Sequence, residues 1–164
     1  MWEKINKQSE ILFHNCLEKK LTVTTAESCT GGMIASSIVS VSGSSAIFKS
    51  SVVTYSNEMK SKILNIPLTL INENGAVSKV IAYTMAYNVL DLMNSDISIA
   101  VTGIAGPGGG SKNKPVGLVH IGIGTKQNIV TKRYLFKGNR LKVRQETTLE
   151  ALKLSNKIIE TFKS

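Results

Sequence analysis

The segment Thr24-Thr25-Ala26-Glu27-Ser28-Cys29-Thr30-Gly31-Gly32 places a hydroxyl and a thiol where an apolar-alternating strand runs into a helix. Such a junction directs several unsatisfied backbone N–H groups at one spot. A nucleophile beside an oxyanion site is what acyl transfer needs. Ser28 requires a base, because a serine hydroxyl is a poor nucleophile until its proton is taken. Histidine is the usual base, but His14 falls in the first helix and His120 in mid-strand, and there is no Gly-x-Ser-x-Gly elbow. Lysine can replace histidine if burial or nearby positive charge lowers its pKa. Tyr55-Ser56-Asn57-Glu58-Met59-Lys60 supplies the candidate. Tyr55 ends a strand, and Lys60 sits about one turn into the next helix, so both can reach one strand-end crevice. Tyr55 can relay a proton or hold the serine hydroxyl. Lys62 competes with Lys60 for the role. Cys29 is the rival nucleophile, since a helix N-terminus favours thiolate; otherwise it is a small buried residue. Thr30 reads as a cap or first-turn residue. Glu27 can act as a general acid or orient the loop by accepting backbone N–H bonds.

Two other segments can shape a site. Gly103-Ile104-Ala105-Gly106-Pro107-Gly108-Gly109-Gly110 matches neither the dinucleotide fingerprint nor the phosphate loop of nucleotide hydrolases. Its glycines permit close backbone approach to a ligand, and Thr102, ending a buried strand just before it, can face a pocket. Arg140 and Arg144 lie four apart, so they share a face at the start of the last helix. Two guanidiniums at a helix N-terminus suit a phosphate or carboxylate.

The elements that must position these residues follow from periodicity. Glu3 to Lys19 reads as an amphipathic helix and Leu21 to Ala26 as a strand. Gly31 to Val41 reads as a helix, and Ser42-Gly43-Ser44-Ser45 as a loop. Ile47 to Tyr55 is a second strand, followed by a short helix over Asn57 to Leu64 that Pro67 breaks. Ser78 caps a helix to about Met93. Ile97 to Thr102 is apolar enough for a strand buried on both faces. Gly117 to Gly124 and Asn128 to Phe136 form a hairpin, and Asn139 caps a last helix to about Phe162. Alternating strands and helices with an appended hairpin predict a three-layer α/β/α sandwich with a mixed, mainly parallel sheet and an antiparallel hairpin. Residues 1–164 read as a single domain. Ligands of such folds sit at loops leaving the C-terminal ends of strands, here those at Ser28, Tyr55 and Gly103.

Composition narrows the function classes. With 42% hydrophobic and 19% charged residues, the chain is of ordinary globular type. No apolar run reaches the roughly 18 residues of a membrane span. Met1-Trp2-Glu3-Lys4 does not open a secretory leader, so a cytoplasmic location and no membrane partner are expected. Cys16 and Cys29 form no metal spacing. The net charge is +9, which suits anionic partners, but the lysines are scattered and aromatics make up only 5%. That argues against a single-strand nucleic-acid binder.

Several segments together resemble the CinA C-terminal domain family, whose stand-alone members are nicotinamide-nucleotide amidases. They are Thr25 to Gly32, Val53 to Lys60, Gly75-Ala76-Val77-Ser78, Val101-Thr102-Gly103-Ile104-Ala105-Gly106-Pro107 and Lys114-Pro115-Val116-Gly117, in order over roughly residues 8 to 160. The resemblance implies hydrolysis of the carboxamide of nicotinamide mononucleotide to nicotinate mononucleotide and ammonia. It assigns Ser28 as nucleophile, Lys60 as base and Tyr55 in support. Thr102 and Arg144 correspond to pocket positions of that family; in the mechanism this suggests, backbone N–H groups of Cys29, Thr30, Gly31 and Gly32 hold the oxyanion, Gly103 borders the substrate, and Arg140 or Arg144 holds its phosphate. It implies no metal and no cofactor, and a homo-oligomer for which a dimer is the expectation. The loop Gly108-Gly109-Gly110-Ser111-Lys112-Asn113 departs from relatives in having no acidic residue. A catalytically degenerate binding module of the competence/damage-inducible type is the alternative implied by the same resemblance.

Overall fold

The computed structural model describes residues 1–162. In chain order its elements are α1 (Trp2–Glu18), β1 (Val23–Glu27), α2 (Met33–Val39), β2 (Phe48–Val53), α3 (Asn57–Leu64), α4 (Leu68–Asn74), α5 (Lys79–Leu92), β3 (Ile97–Gly103), β4 (Leu118–Thr125), β5 (Ile129–Leu135) and α6 (Arg140–Glu160). A single 3-10 turn, Ser44–Ala46, precedes β2. The strands lie in the order β2-β1-β3-β4-β5. β1 pairs in parallel with both β2 and β3, while β4 is antiparallel to β3 and β5. Only β4 therefore runs against the others. The C-terminal ends of β1, β2 and β3 open on one edge, and the loops at Ser28, Tyr55 and Gly103 leave from that edge.

Helices cover both faces, giving the expected α/β/α layers. Ile97, Ile99 and Val101 of β3 point with Val23, Val119, Ile121 and Ile123 into a core closed by α1, α2 and α6. The alternate positions Ala26 and Ala100 meet α3, α4 and α5. That second face is built from small residues, so α5 comes very close. A methyl added at Gly122 would stand 2.5 Å from the Ala82 carbonyl oxygen, so larger residues there would push the helix off. β3 is buried along Ile97 to Thr102, as its nearly all-apolar run predicts.

Two elements differ from expectation. Pro67 does not simply end a helix: α4 starts directly after it. Proline's fixed φ favours a first helical turn, and Gly75 at φ +75 ends the element. α2 begins at Met33 rather than Gly31, because Gly31 and Gly32 hold φ values of +60 and +92. Those left-handed conformations make the turn that carries Ser28 out of the sheet.

Candidate active site

Ser28 and Lys60 meet where β1 and α3 converge. Ser28 follows β1 immediately, and its N–H donates to the Val101 carbonyl at 3.1 Å, extending the β1–β3 pairing by one step. α3 is capped by Ser56, whose hydroxyl accepts from the Met59 N–H at 3.1 Å. This cap puts Lys60 one turn into the helix, where side chains lean back toward the N-terminus. Its ammonium end thus returns under the β2–α3 connection. Lys60 Nζ stands 3.0 Å from Ser28 Oγ, 2.9 Å from the Thr54 carbonyl oxygen and 3.4 Å from that of Tyr55.

The electrostatics follow from that burial. Lys60 is 1% exposed and Ser28 7%. Burial pushes the Lys60 pKa below its ordinary 10.5, while the neighbouring Cys29 pulls the other way. Among the described residues no carboxylate pairs with Lys60. As a neutral amine, Lys60 would direct its two N–H groups at the two carbonyls and its lone pair at the Ser28 hydroxyl. Lys62, the competing lysine, is exposed on α3.

Glu27 is committed to the backbone. One of its carboxylate oxygens accepts from the Thr30 hydroxyl at 2.6 Å, the Gly32 N–H at 3.0 Å and the Ile34 N–H at 3.1 Å. The other accepts from the Ala35 N–H at 2.8 Å. The carboxylate thus takes the place of an N-cap side chain for α2, whose N-cap residue is a glycine. Of the two readings of Glu27, the geometry favours loop orientation, because its oxygens are filled by groups of the turn itself.

The remaining residues divide between pocket and scaffold. A pocket of about 240 Å³ is lined by Ser28, Cys29, Tyr55, Lys60, Thr102, Gly103 and Arg140, joined by Asn57, Ala76, Val77 and Ala105. Thr30 and Arg144 are part of the supporting turn instead. The Arg144 guanidinium donates to the Thr30 carbonyl through Nε at 3.2 Å and Nη2 at 2.7 Å. Gly31 spends its N–H on the Ser28 carbonyl and Gly32 on Glu27. Neither amide is free to hold an oxyanion, and of the turn's two other amides only that of Cys29 belongs to a residue lining the pocket.

Arg140 crosses the pocket mouth. It donates to the Gly106 carbonyl at 2.8 Å and to the Tyr55 hydroxyl at 2.7 Å. Tyr55 is 59% exposed, so its ring forms the outer wall, and Lys60 reaches Ser28 with no hydroxyl between. The Thr102 hydroxyl donates to the Ala76 carbonyl at 2.8 Å and holds the wall formed by Ala76 and Val77. Lys114 Nζ pins the same connection through the Asn74 carbonyl at 2.8 Å.

Cys29 is 5% exposed, and burial with the nearby Glu27 charge pushes its thiol up to about 12. At neutral pH it stays protonated, which removes the basis for a thiolate nucleophile. His14 lies exposed on α1. His120 is half-buried on β4, opposite Thr102 in the strand register, and burial with the Arg133 and Lys114 charges lowers its pKa. Neither histidine lines the pocket. Among the described residues no group of three or more His, Cys, Asp and Glu stands together as a metal-binding set, and no helix is long and apolar enough to cross a membrane.

Sequence reasoning did not single out Asn57, Val77 or the Thr54 carbonyl. Asn57 was detectable in principle, since a Ser56 cap places it at the first position of α3, on the crevice side. A carbonyl has no sequence signal.

Comparison with known proteins agrees with the motifs. A family model described as the CinA C-terminal domain matches residues 5–159. A CinA-like protein of Endomicrobium trichonymphae is 51% identical over 138 residues, 84% of this chain and 32% of that protein. The chain spans about a third of the length of the curated relatives it matches. Among solved structures, the competence/damage inducible protein CihA from Agrobacterium tumefaciens superposes with a TM-score of 0.90 at 37% identity, covering 92% of this chain and 93% of that one. The competence damage-inducible protein A from Klebsiella pneumoniae gives 0.94 at 29% identity, covering 97% and 99%.

Proposed function

Because the chain belongs to the CinA C-terminal domain family, we propose that it is an amidohydrolase acting on nicotinamide mononucleotide, with Ser28 as nucleophile and Lys60 as base. The observation that carries the reading is the 3.0 Å approach of a buried, carboxylate-free Lys60 Nζ to Ser28 Oγ. The amide substrate itself rests on the family resemblance. Neutral Lys60 takes the Ser28 proton as Oγ bonds to the amide carbon, and the carbonyl electron pair moves onto oxygen. The Cys29 N–H, at the pocket wall, stabilises that oxyanion. The C–N bond then breaks, and the proton held on Lys60 leaves with ammonia. A water attacks the acyl-enzyme and gives a proton to Lys60, which passes it to Ser28 Oγ as the ester bond breaks; the acid product leaves and loses its remaining proton to solvent.

The pocket is smaller than the roughly 300–1,000 Å³ of sites for drug-sized ligands. It therefore takes the ring and amide, while the phosphorylated remainder lies across Arg140 at the mouth. Arg140 suits that role better than Arg144, because it is exposed and lines the pocket, whereas Arg144 is half-buried and does not.

Ammonia release from nicotinamide mononucleotide tests the assignment. Wild type and Cys29→Ala should turn over, and Ser28→Ala should not. Full activity of Ser28→Ala would end the nucleophile assignment. A folded wild type that binds the nucleotide without releasing ammonia would favour a degenerate binding module.

A further inference from the structure

A surface helix ordinarily turns charged and polar residues outward. The outward stripe of α5 departs from that. Its inner face, with Ile81, Met85 and Val89, is buried on the sheet. Its outer face carries Val80, Tyr83 and Tyr87, which are 39%, 45% and 56% exposed. At 3.6 residues per turn these fall on one stripe, with Lys79 at its start and Asp91 at its end. Both charged side chains are exposed, and among the described residues neither takes part in a salt bridge. Beyond α5 the sheet ends in β5. Tyr134 packs against the core closed by α6, so its neighbour Leu135 turns to the α5 side, where it is exposed. Apolar surface is thus left open on that side of both the helix and the edge strand.

The spacing of this stripe is symmetric. Tyr83 and Tyr87 lie two residues either side of Met85, and Lys79 and Asp91 lie six either side of it. Reversing the helix about that point exchanges tyrosine for tyrosine and a cation for an anion. We propose that α5 packs antiparallel against α5 of a second copy of the chain, about a two-fold axis level with Met85. A two-fold interface sets one patch against itself, so each contact occurs twice. Tyr83 then faces Tyr87 of the second copy, and Lys79 faces Asp91 of the second copy at both ends of the pair. Tyrosine rings supply large contact areas and are enriched at protein interfaces. The stripe carries one charge of each sign, although the chain as a whole carries +9. A polyanion would be repelled by Asp91 and gain only Lys79, so charge complementarity favours a second copy over an anionic partner. None of these residues lines the Ser28 pocket, so the inference stands apart from the amidase reading.

Analytical ultracentrifugation of the full chain over a range of concentrations, with charge-exchanged variants, is the test. Wild type should associate to a dimer. Lys79→Asp alone or Asp91→Lys alone sets like charges opposite each other at both ends and should weaken the dimer at least about tenfold. The two exchanges together restore opposite charges and should restore association to the wild-type level. Tyr87→Ser should weaken the dimer by about tenfold as well. Each charge exchange places an acid at the start of α5 or a base at its end, which suits the helix dipole. The single variants should therefore melt no lower than wild type at a concentration where all are monomeric, which separates lost association from lost folding. Three results overturn the proposal: a wild type that stays monomeric up to about 1 mM, a dimer that neither single exchange weakens, or a double exchange that associates no better than the singles. The first would leave the stripe to an unlike protein, and the second would put the contact between copies on another face.

Discussion

Lys60 is the residue on which the chemistry turns, and its behaviour with pH follows from its burial. The side chain is surrounded by carbonyl oxygens and one hydroxyl, with no carboxylate to hold its charge, so desolvation lowers its pKa from 10.5. A base must be neutral to act, so kcat should rise with pH through that lowered value and level off above it. Lys60→Arg should cost about 10²–10⁴ in kcat, because guanidinium does not deprotonate. Stability carries the same signature. The folded pKa lies below the unfolded one, so the unfolded chain binds more protons between the two values. Stability therefore rises with pH across that window and is lost as pH falls through the folded value. Urea unfolding at several pH values should show this slope in wild type and not in Lys60→Met.

The pairing of Ser28 with a lysine was legible from the strand-to-helix junction and from a lysine about one turn into the helix after Tyr55, since both are local patterns. The choice of Lys60 over Lys62 was less secure, because it depends on which way α3 faces, and packing decides that. Tyr55 was legible as a site residue but not in its part. Its carbonyl reaches Lys60 and its hydroxyl faces Arg140, a division that composition does not encode.

Among the elements, α6 and α2 show how one helix face can divide its labour. Arg140 and Arg144 share a face, as their spacing requires. Arg140 lies at the pocket mouth, however, whereas Arg144 is half-buried against the turn that holds Ser28. Arg144→Ala removes two charge-assisted hydrogen bonds to the Thr30 carbonyl and should destabilise the fold by about 1.5–3 kcal/mol, read as a lower melting temperature. Arg140→Ala should leave the melting temperature nearly unchanged and raise KM for the phosphorylated substrate, with a much smaller effect on an amide lacking the phosphate. Equal effects of the two variants on KM would remove the distinction. The sequence made the arginine pair visible, but the carbonyl that captures Arg144 belongs to a turn 114 residues away. α4 was missed for a different reason. Its proline start and glycine stop were both in the sequence, yet a seven-residue element carries too little periodicity to stand out from a loop.

At the scale of the whole molecule, the alternation of strands and helices was sufficient to anticipate the layers, the hairpin and the edge at which the site opens. The closeness of α5 to the sheet was not, because it arises from small residues meeting across layers, at Gly122 and Ala82. Charge acts at this scale too. The chain carries 20 Lys and Arg against 11 Asp and Glu, and Arg140 stands at the mouth of the Ser28 pocket. A field of net positive sign raises the encounter rate of an anionic substrate and is screened by salt, with a Debye length of about 8 Å at physiological ionic strength. For the proposed reaction, kcat/KM on nicotinamide mononucleotide should fall as salt rises from about 10 to 150 mM, while kcat stays nearly constant, because Lys60 and Ser28 are buried from the screening ions. The same assay on the uncharged amide nicotinamide should show little salt dependence. If kcat and kcat/KM fell together, salt would be acting on the buried pair rather than on the approach of substrate, and the steering role of the net charge would be refuted.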